Sequence, residues 1–280
     1  MTLCWRTRQP IIQTVSPARL VAKTLSNVLG PRISDYVYVD FASGAGGPTP
    51  YIERILNKEL QKEGKDEVRM VISDLKPHLS AWEPLAKKSE NLSYIRQGVD
   101  AANCPATESL LKDIPGVEGK KVMRLFSLAF HHFDDELSAK ILENTIETSD
   151  GFWYVSLISS RVSQLRLTRF NSIFELQSRH LSSFLLVSLT WPLLMLLTPF
   201  YFYDSPAHLF FTYLIPLVPF VVVFDGYISS LRTRTPDEVQ ALMRSKVDAQ
   251  TLSKWKFRSG ESCHTWPIGF MNWIICTKED

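Results

Sequence analysis

A glycine-rich turn beside an acidic residue is the first group in this 280-residue chain that could bind a ligand. The turn runs from Ala42 to Pro48 and follows the apolar run Tyr36 to Phe41, in which Asp40 is the only charged residue. Doubly wound α/β folds seat nucleotide-type cofactors where an apolar strand ends in such a turn and a helix follows. Gly44 and Gly46 carry no Cβ, so the backbone there can approach a ligand closely and adopt positive φ. The pattern predicts a cofactor site, and the alternative that it leaves open is a tight connection without a ligand.

Two more acids follow the next two predicted strands. Asp74 ends the apolar run Val68 to Ile72, and Asp100 lies just past the run Leu92 to Arg96. An acid at the end of the second strand can accept hydrogen bonds from two ribose hydroxyls, and an acid past the third strand can accept one from the amino group of adenine. Either acid alone could be a solvated loop residue. Their positions at consecutive strand ends, downstream of the glycine turn, favour adenosine binding.

The elements that must position these residues alternate between strand and helix over residues 17–158. Such alternation predicts a parallel sheet wound with right-handed crossovers. Thr49 is predicted to cap the helix after the glycine turn, with Pro50 at its first position. The predicted strands are Tyr36–Phe41, Val68–Ile72, Leu92–Arg96, Lys121–Leu128 and Gly151–Ile158, and the predicted helices are Pro17–Leu29, Tyr51–Lys62, Ala81–Ser89 and Asp135–Ile146.

The end of the chain is predicted to return to this sheet. Thr235 and Glu238 form a capping-box pattern with proline between them, which opens a helix to about Ala249. Two strands follow, at Lys254–Arg258 and Ile268–Thr277. The predicted division is therefore residues 1–34, an N-terminal helical segment; 35–160, a Rossmann-like cofactor-binding core; 161–234, a basic helix plus an apolar insertion; and 235–280, a helix and the final strands of the core.

The glycine turn lacks features that a nicotinamide cofactor would need. A pyrophosphate is seated on a helix N-terminus, with a third glycine three residues beyond the second. Here Thr49 occupies the sixth position counted from Gly44, and Pro48 and Pro50 remove two N–H donors. The sequence therefore disfavours phosphate binding at this turn.

Taken together, the motifs Val39 to Gly46, Asp74, Asp100-Ala101 and Phe130 to Phe133 resemble those of the class I S-adenosylmethionine-dependent methyltransferases. The resemblance covers about residues 35–160 and, weakly, the last strands. It implies a seven-stranded, mostly parallel sheet with an antiparallel final strand, and S-adenosylmethionine as cofactor. The chain departs from the family pattern at Ala42, where the family often has its first glycine, and at Gly47-Pro48.

The resemblance also implies a set of cofactor-binding residues. Asp40, Gly44 and Gly46 would line the methionine moiety, Asp74 would bind the ribose, and Asp100 with Ala101 would bind the adenine. The full predicted set is Asp40, Ala42, Ser43, Gly44, Gly46, Asp74, Leu75, Asp100, Ala101 and Ser127.

Two adjacent histidines are the candidate bases. His131 and His132 follow the fourth predicted strand, beside the expected position of the methyl group, and imidazole titrates near neutrality. Methyl transfer needs a base only if the acceptor arrives protonated. The alternative is that one histidine packs and the other caps the turn at Asp134. His264 and Trp266, before the last strand, are further candidates for substrate contact.

Two apolar runs interrupt the α/β pattern. About twenty-three residues without a charge run from Leu181 to Tyr203, enough to cross a bilayer core of about 30 Å as a helix. A shorter run, Leu209 to Phe224, follows the turn at Asp204 to Pro206. The flanking arginines predict by the positive-inside rule that both ends face the cytosol. A membrane hairpin is expected, and a re-entrant or interfacial pair and buried or dimer-forming helices are the alternatives. The flanking arginines are Arg161, Arg166, Arg169, Arg179, Arg232 and Arg234.

Composition excludes several other classes of protein. A formal net charge of +2 does not indicate a positively charged surface that would bind nucleic acid. The cysteines, at positions 4, 104, 263 and 276, form no Cys-x-x-Cys pair, which argues against a metal site or a disulfide framework. Residues 1–10 are not followed by an apolar segment of the kind found in secretory signals, so the N-terminal domain is expected in the cytosol.

Residues 161–180 could be a basic helix on the membrane surface or simply the helix after strand five.

The sequence thus predicts an S-adenosylmethionine-dependent methyltransferase acting on a lipophilic small molecule or lipid. It would lie at a membrane with its catalytic domain facing the cytosol, without a metal and without nucleic acid as partner. The alternatives are a cofactor-binding membrane protein without catalytic activity and an NAD-dependent oxidoreductase. Oligomeric state is not predicted.

Overall fold

The computed structural model describes residues 15–127, 129–158, 181–265 and 269–279. Short 3₁₀ segments cover Gly30–Asp35 and Phe130–His132, and a π-helical segment covers Phe210–Leu214. The strands are β1 (Tyr36–Asp40), β2 (Arg69–Ile72), β3 (Leu92–Tyr94), β4 (Lys121–Ser127), β5 (Gly151–Ile158), β6 (Trp255–Thr265) and β7 (Gly269–Lys278). The helices are α1 (Pro17–Leu29), α2 (Thr49–Lys62), α3 (Leu79–Ala86), α4 (Thr107–Leu111), α5 (Asp135–Thr148), α6 (Leu181–Tyr201), α7 (Pro206–Leu209), α8 (Leu217–Arg232), α9 (Pro236–Lys246) and α10 (Ala249–Leu252).

The strands form one seven-stranded sheet in the order β3-β2-β1-β4-β5-β7-β6. The first five strands are parallel to their neighbours, and β7 runs antiparallel between β5 and β6. The predicted mostly parallel α/β sheet with an antiparallel final strand is confirmed. Strand order reverses between β1 and β4, and ligands of open α/β sheets bind beyond the carboxyl ends of the strands at such a switch point.

Both faces of strand β1 are buried. Its five residues are all inaccessible to solvent, as expected for a strand covered by helices on both sides. Tyr36 and Tyr38 face a core that includes α1, α2 and Trp82. Val37 and Val39 face a second core that includes α5 and α9. Each large apolar side chain buried in this way contributes about 1.5–3 kcal/mol, so the position of Asp40 at the strand end is firmly fixed.

Predicted and observed boundaries coincide at α1 and β5, lie within three residues at the other predicted strands and helices of the α/β core, and differ more at β6. Helix α1 and strand β5 match the predicted spans. The capping box at Thr235 and Glu238 is confirmed, since both reciprocal hydrogen bonds are present. Strand β6 extends to Thr265, well beyond the predicted Arg258, because it pairs with β7 along most of its length. Helix α4 was not predicted.

The apolar runs form helices that pack on each other without making a simple hairpin. The second run is broken at Ile215-Pro216, so that the segments Pro206–Leu214 and Leu217–Arg232 meet at 71°. Helix α8 approaches α6 closely at Gly226, where a Cβ would lie 2.8 Å from Val187 Cγ1. By length and hydropathy, no single helix of the described residues could cross a bilayer, whereas the bent pair meets the requirement jointly. The membrane hairpin is therefore not confirmed, and the predicted basic helix at 161–180 lies outside the described residues.

Candidate functional site

The glycine-rich turn after β1 adopts the left-handed backbone that its sequence suggested. The φ angles of Gly44 and Gly46 are +54° and +107°. A Cβ at Gly44 would meet nothing within 4 Å, so open space lies over this residue. Ala42 also has positive φ, at +54°. A left-handed conformation costs an L-residue about 1–2 kcal/mol, so the departure from the family's first glycine is accommodated with strain.

Three hydrogen bonds hold the turn in place. Its Gly44 N–H donates to Asp74 Oδ2 at 2.8 Å, and its Ser43 N–H donates to the Ser73 carbonyl at 3.1 Å. On the other side, the Trp82 indole N–H donates to the Gly44 carbonyl at 2.8 Å. Trp82 is fully buried under the turn. Sequence reasoning missed this residue, because it is 38 positions from Gly44 and belongs to no cofactor motif.

Asp40 lies beneath the turn as a buried carboxyl group. It is 1% exposed, and its Oδ2 accepts a hydrogen bond from the Thr49 hydroxyl at 2.5 Å. Thr49 therefore does not cap α2 as predicted; the helix begins at Thr49 itself and its hydroxyl is bound to Asp40. Ser43 and Ser127 lie close enough to favour the charged form, yet Oδ1 has no partner among the described residues. Burial dominates and raises the pKa of Asp40 to about 7.

The backbones at the ends of β2 and β3 lie next to each other. The hypothesis that Asp74 and Asp100 bind one adenosine requires this. The Val99 N–H donates to the Asp74 carbonyl at 3.0 Å. A Cβ at Gly98 would lie 2.5 Å from the Leu75 carbonyl oxygen, so this approach needs glycine. Asp74 Oδ1 accepts from the Lys76 N–H at 2.9 Å. The Leu75 side chain is 62% exposed, which leaves an apolar surface next to the acid.

Asp100 and Ala101 lie on the neighbouring loop. Asp100 is exposed, and its Oδ1 accepts from the Ala102 N–H at 2.9 Å, which shapes a tight turn. The carboxylates of Asp74 and Asp100 each keep lone pairs beyond these backbone bonds. Both are thus free to accept hydrogen bonds from a ligand.

A buried arginine on β4 braces this loop from inside. Arg124 is 2% exposed and donates to Asn144 Oδ1 at 3.0 Å and to Thr145 Oγ1 at 3.2 Å. Asn144 in turn bonds the N–H and the carbonyl of Cys104, both at 3.2 Å. The guanidinium lies 4.8 Å from the centre of the Phe41 ring. Desolvation lowers the pKa of Arg124 to about 10, which still leaves it charged at neutral pH.

The two histidines occupy a 3₁₀ turn after β4 and differ sharply in exposure. His131 is 4% exposed and its Nδ1 has no partner among the described residues, whereas His132 is exposed. Their ring centres are 4.2 Å apart. Burial above all, and then the charges of His132, Arg232 and Arg234, lower the pKa of His131 to about 4.

The alternative role predicted for the histidines is half right. His131 packs in the interior, but the helix that follows is capped by Asp134, whose Oδ1 accepts from the Leu137 N–H at 2.8 Å. No described set of His, Cys, Asp and Glu side chains could hold a metal ion. Cys104 and Cys276 are buried and Cys263 is exposed, and none of the three is part of a disulfide. Trp266 and Cys4 lie outside the described residues.

Two cavities in the described part of the chain lie away from the predicted site residues. One, of about 430 Å³, is a shallow surface hollow lined by Arg244, Val247 and Ser253 among others. The other, of about 160 Å³, lies at the amino-terminal edge of the sheet beside Arg69 and Lys120. Ligand sites of open α/β sheets lie at the edge opposite to the second cavity, and neither cavity is lined by a predicted site residue.

No protein-family model matches the chain, and no curated protein matches its sequence. Solved structures with a similar fold include human N-acetylserotonin methyltransferase in complex with SAM (TM-score 0.44, 11% identity, 94% of this chain and 56% of that one). They also include LepI with SAH and a substrate analogue (0.46, 12%, 91% and 46%) and magnesium protoporphyrin IX methyltransferase from Synechocystis PCC 6803 with bound SAM (0.42, 6%, 92% and 77%). This chain spans about half the length of the first two. Function does not follow from similarities at this level.

Proposed function

We propose that this protein binds S-adenosylmethionine over the glycine turn and transfers its methyl group to a lipophilic small molecule or lipid at a membrane surface. The observation that carries the proposal is the environment of Gly44. Its backbone is left-handed, open space lies over it, and its N–H is bound by Asp74 at the end of the next strand. Asp74 thus ties the open turn to the end of β2, which is where the ribose of a bound adenosine would lie.

The residues present fit the cofactor. Asp40 Oδ1 is a buried acceptor without a described partner, next to the open turn, and a cationic amino-acid moiety would satisfy it. Asp74 would accept from the ribose hydroxyls, Asp100 from the adenine amino group, and the exposed Leu75 would cover an apolar ring face. Ala42, Ser43, Gly46, Ala101 and Ser127 would complete the lining. The cofactor would supply a methyl group activated on a sulfonium.

The rest of the chemistry is positioning and exclusion of water, because methyl transfer is an in-line displacement. With its pKa lowered to about 4, His131 is neutral at physiological pH. A neutral imidazole can accept a hydrogen bond from an acceptor hydroxyl or amine, but it is a weak base. His132 is exposed, so it can carry a proton to water. We assign orientation of the acceptor to His131 and proton removal to His132.

A lipophilic acceptor is supported by the apolar surface on α6 to α8. On this apolar surface, Phe200, Tyr203 and Leu214 are each more than 70% exposed. Contiguous exposed apolar patches of this kind mark interaction sites with proteins or membranes. Aromatic side chains concentrate on it, as at membrane–water interfaces. The apolar surface comprises Leu185, Leu189, Leu196, Phe200, Tyr201, Phe202, Tyr203, Phe210, Phe211, Tyr213, Leu214, Ile215, Leu217, Phe220, Val221, Val222, Phe224 and Leu231.

The apolar surface lies beside the candidate acceptor position, because α8 packs against the turn that carries the histidines. A lipophilic acceptor held by the apolar surface would therefore be close to the exposed His132. We place the protein at a membrane with the glycine turn on the cytosolic side, in an interfacial or re-entrant arrangement that suits the 71° bend.

Cofactor binding is tested with the purified, detergent-solubilised protein. Wild type, Asp74→Asn and the control Asp113→Asn, which changes an exposed acid away from the turn, are titrated with S-adenosylmethionine and separately with NADH. We expect micromolar binding of S-adenosylmethionine that Asp74→Asn weakens by about 10- to 100-fold, the loss of one or two charged hydrogen bonds. Thermal stabilisation by NADH alone would favour the oxidoreductase instead, and binding of neither ligand would exclude both.

Catalysis is tested separately. The protein is incubated with methyl-labelled S-adenosylmethionine and a lipophilic membrane extract, and the labelled product is identified. A labelled lipophilic product supports the proposal. Tight cofactor binding without any labelled product would favour the cofactor-binding protein without catalytic activity.

A further inference from the structure

Arg234 ties the apolar helix to the histidine turn. Its side chain is 5% exposed although it follows α8 by only two residues. Nη1 donates to the Phe130 carbonyl at 3.1 Å, and Nη2 donates to the Phe133 carbonyl at 2.8 Å. Nε and Nη2 also donate to Asp135 Oδ1, at 3.1 and 2.8 Å. The guanidinium carbon lies 5.5 Å from the centre of the Phe130 ring.

The two carbonyl groups bracket the histidines. Phe130 and Phe133 are the residues immediately before and after His131-His132, so one planar group holds both ends of the turn. A 3₁₀ segment of three residues has little stability of its own. The rigid fork of an arginine matches two acceptors at a fixed spacing, which the single ammonium group of a lysine cannot do.

The ion pair with Asp135 is the weaker part of this arrangement. The Asp135 side chain is 83% exposed, whereas that of Arg234 is 5% exposed. Exposed carboxylates contribute little to an ion pair because water screens them. Buried hydrogen bonds from a charged donor are stronger, so the carbonyl contacts should dominate.

Arg234 also lies in a short connection that is held in place on both sides. Thr233 before it is buried, and its hydroxyl donates to the Ser229 carbonyl of α8 at 2.9 Å. Thr235 after it is the N-cap of α9. A displacement of α8 must therefore move the guanidinium, and with it the carbonyls on either side of the histidines.

We propose that Arg234 is a positioning residue that couples the apolar surface to the geometry of the His131–His132 turn. The coupling rests on the proposed function for its biological meaning, since the turn would be the acceptor side of the site. Contact of α8 with lipid would thereby align the histidines, and the site would be ordered when the protein is on a membrane.

The first test measures the histidines directly, by NMR titration of histidine-labelled protein in detergent, with His131→Gln to assign the signal. The titratable and charged groups that face His131 are His132 on its own turn, Arg232 on α8 and Arg234. In wild type, the pKa of His131 should lie well below its usual range. Arg234→Lys keeps the charge and removes the fork, so the turn loosens, water enters, and we expect the pKa to rise by about one unit. Arg244→Lys, the control, makes the same replacement at an exposed arginine of α9 and should leave the pKa of His131 unchanged.

Hydrogen exchange provides the second readout. The His132 and Phe133 N–H groups bond the Ala129 and Phe130 carbonyls, at 3.0 and 3.3 Å. In Arg234→Lys these amides should exchange at least about tenfold faster, whereas Asp135→Asn should change them little. Phosphatidylcholine vesicles should slow their exchange in wild type. In Arg234→Lys, the same vesicles should bind equally but leave exchange unchanged.

Retention of the wild-type pKa and exchange rates in Arg234→Lys would overturn the proposal. So would unfolding of both Arg234→Lys and Arg234→Gln, because Arg234 would then support the whole fold and not this turn. None of these readouts uses the cofactor. If S-adenosylmethionine does not bind but the variants behave as expected, the proposed function fails and the positioning role stands.

Discussion

The cofactor end and the acceptor end of the candidate site each hold one buried titratable group with an unpartnered atom, but burial moves their pKa values in opposite directions. Asp40 Oδ1 and His131 Nδ1 lack partners among the described residues. Desolvation raises the pKa of Asp40 to about 7 and lowers that of His131 to about 4. In both cases the uncharged form is favoured. The neutral imidazole suits an apolar acceptor at one end, whereas a cationic cofactor at the other end would restore the charge of Asp40 by favouring its ionised form.

The two ends are also supported differently. The glycine turn is held by residues of the core, chiefly Trp82 and Asp74. The histidine turn is held by Arg234, which arrives from the end of the apolar helix. The cofactor end should therefore be formed in the isolated protein, whereas the acceptor end should respond to whatever contacts α8.

The largest expected effect is at Trp82. Replacing it by alanine removes a fully buried indole from under the glycine turn, and we expect a loss of about 3–5 kcal/mol in the free energy of unfolding. Trp82→Phe keeps most of the volume and removes the hydrogen bond to Gly44, so it should cost about 1–2 kcal/mol. Denaturant unfolding measures both. If Trp82→Phe were as damaging as Trp82→Ala, the hydrogen bond and not the packing would hold the turn.

Asp40 should make the folded protein less stable as pH rises. Its folded pKa of about 7 lies above the ordinary 3.8, so the stability is fully present below about pH 4 and is lost as pH rises through 7. The full difference is about 4 kcal/mol. Asp40→Asn, which cannot ionise, should be more stable than wild type at pH 8 and lose this advantage near pH 5. If the free energies of unfolding of wild type and Asp40→Asn changed equally with pH across this range, the buried location of Asp40 would be contradicted.

His131 should have the opposite dependence. Its folded pKa of about 4 lies below the ordinary 6.5, so the stability present above 6.5 is lost as pH falls toward 4, by about 3 kcal/mol in all. Between about pH 4 and pH 6.5, the changes in unfolding free energy caused by Asp40 and by His131 have opposite signs and nearly cancel in wild type. His131→Gln should therefore become more stable as pH falls from 6.5 to 4, and Asp40→Asn less stable, measured by thermal unfolding. An acid response of His131→Gln equal to that of wild type would show that His131 is solvated.

The apolar surface should bind lipid. Replacing Leu214, Phe220 and Phe224 together by serine should weaken flotation with phosphatidylcholine vesicles at least about tenfold, equivalent to about 1.4 kcal/mol. Leu137→Ser, which changes an exposed leucine outside the apolar surface, is the control. Equal flotation of both variants would argue against a membrane role for α6 to α8, and a shift in oligomeric state would indicate a protein partner.

The smallest expected effect is at Ala42. Ala42→Gly relieves the positive φ of +54°, which costs an alanine about 1–2 kcal/mol, but glycine adds about 0.5–1 kcal/mol of unfolded-state entropy. The net gain in unfolding free energy should be about 0.5 kcal/mol. Ala45→Gly, in the same turn but without positive φ, should destabilise instead.

The parts of this structure that could be read from the sequence are those set by local pattern. Alternating apolar runs predicted the parallel strands, and the spacing of Asp40, Gly44 and Asp74 predicted a turn that the structure shows held together. The residues that were missed act over long separations. Trp82 is 38 positions from Gly44, and Arg234 is 104 positions from Phe130, so no local periodicity reports them. Thr49 was misread because a threonine before a helix usually caps it, whereas here a buried carboxyl group takes the hydroxyl.

The most direct test of the cofactor site is the pH dependence of S-adenosylmethionine binding, measured by titration calorimetry from about pH 6 to about pH 8. A cation beside Asp40 favours its ionised form, so the affinity should rise by up to about tenfold per pH unit below 7 and level off above it, with close to one proton released at the lower pH. Asp40→Asn should bind more weakly and lose this dependence. Binding that is absent in wild type, or equally tight at every pH, would contradict the assignment of Asp40 and the glycine turn as the cofactor site.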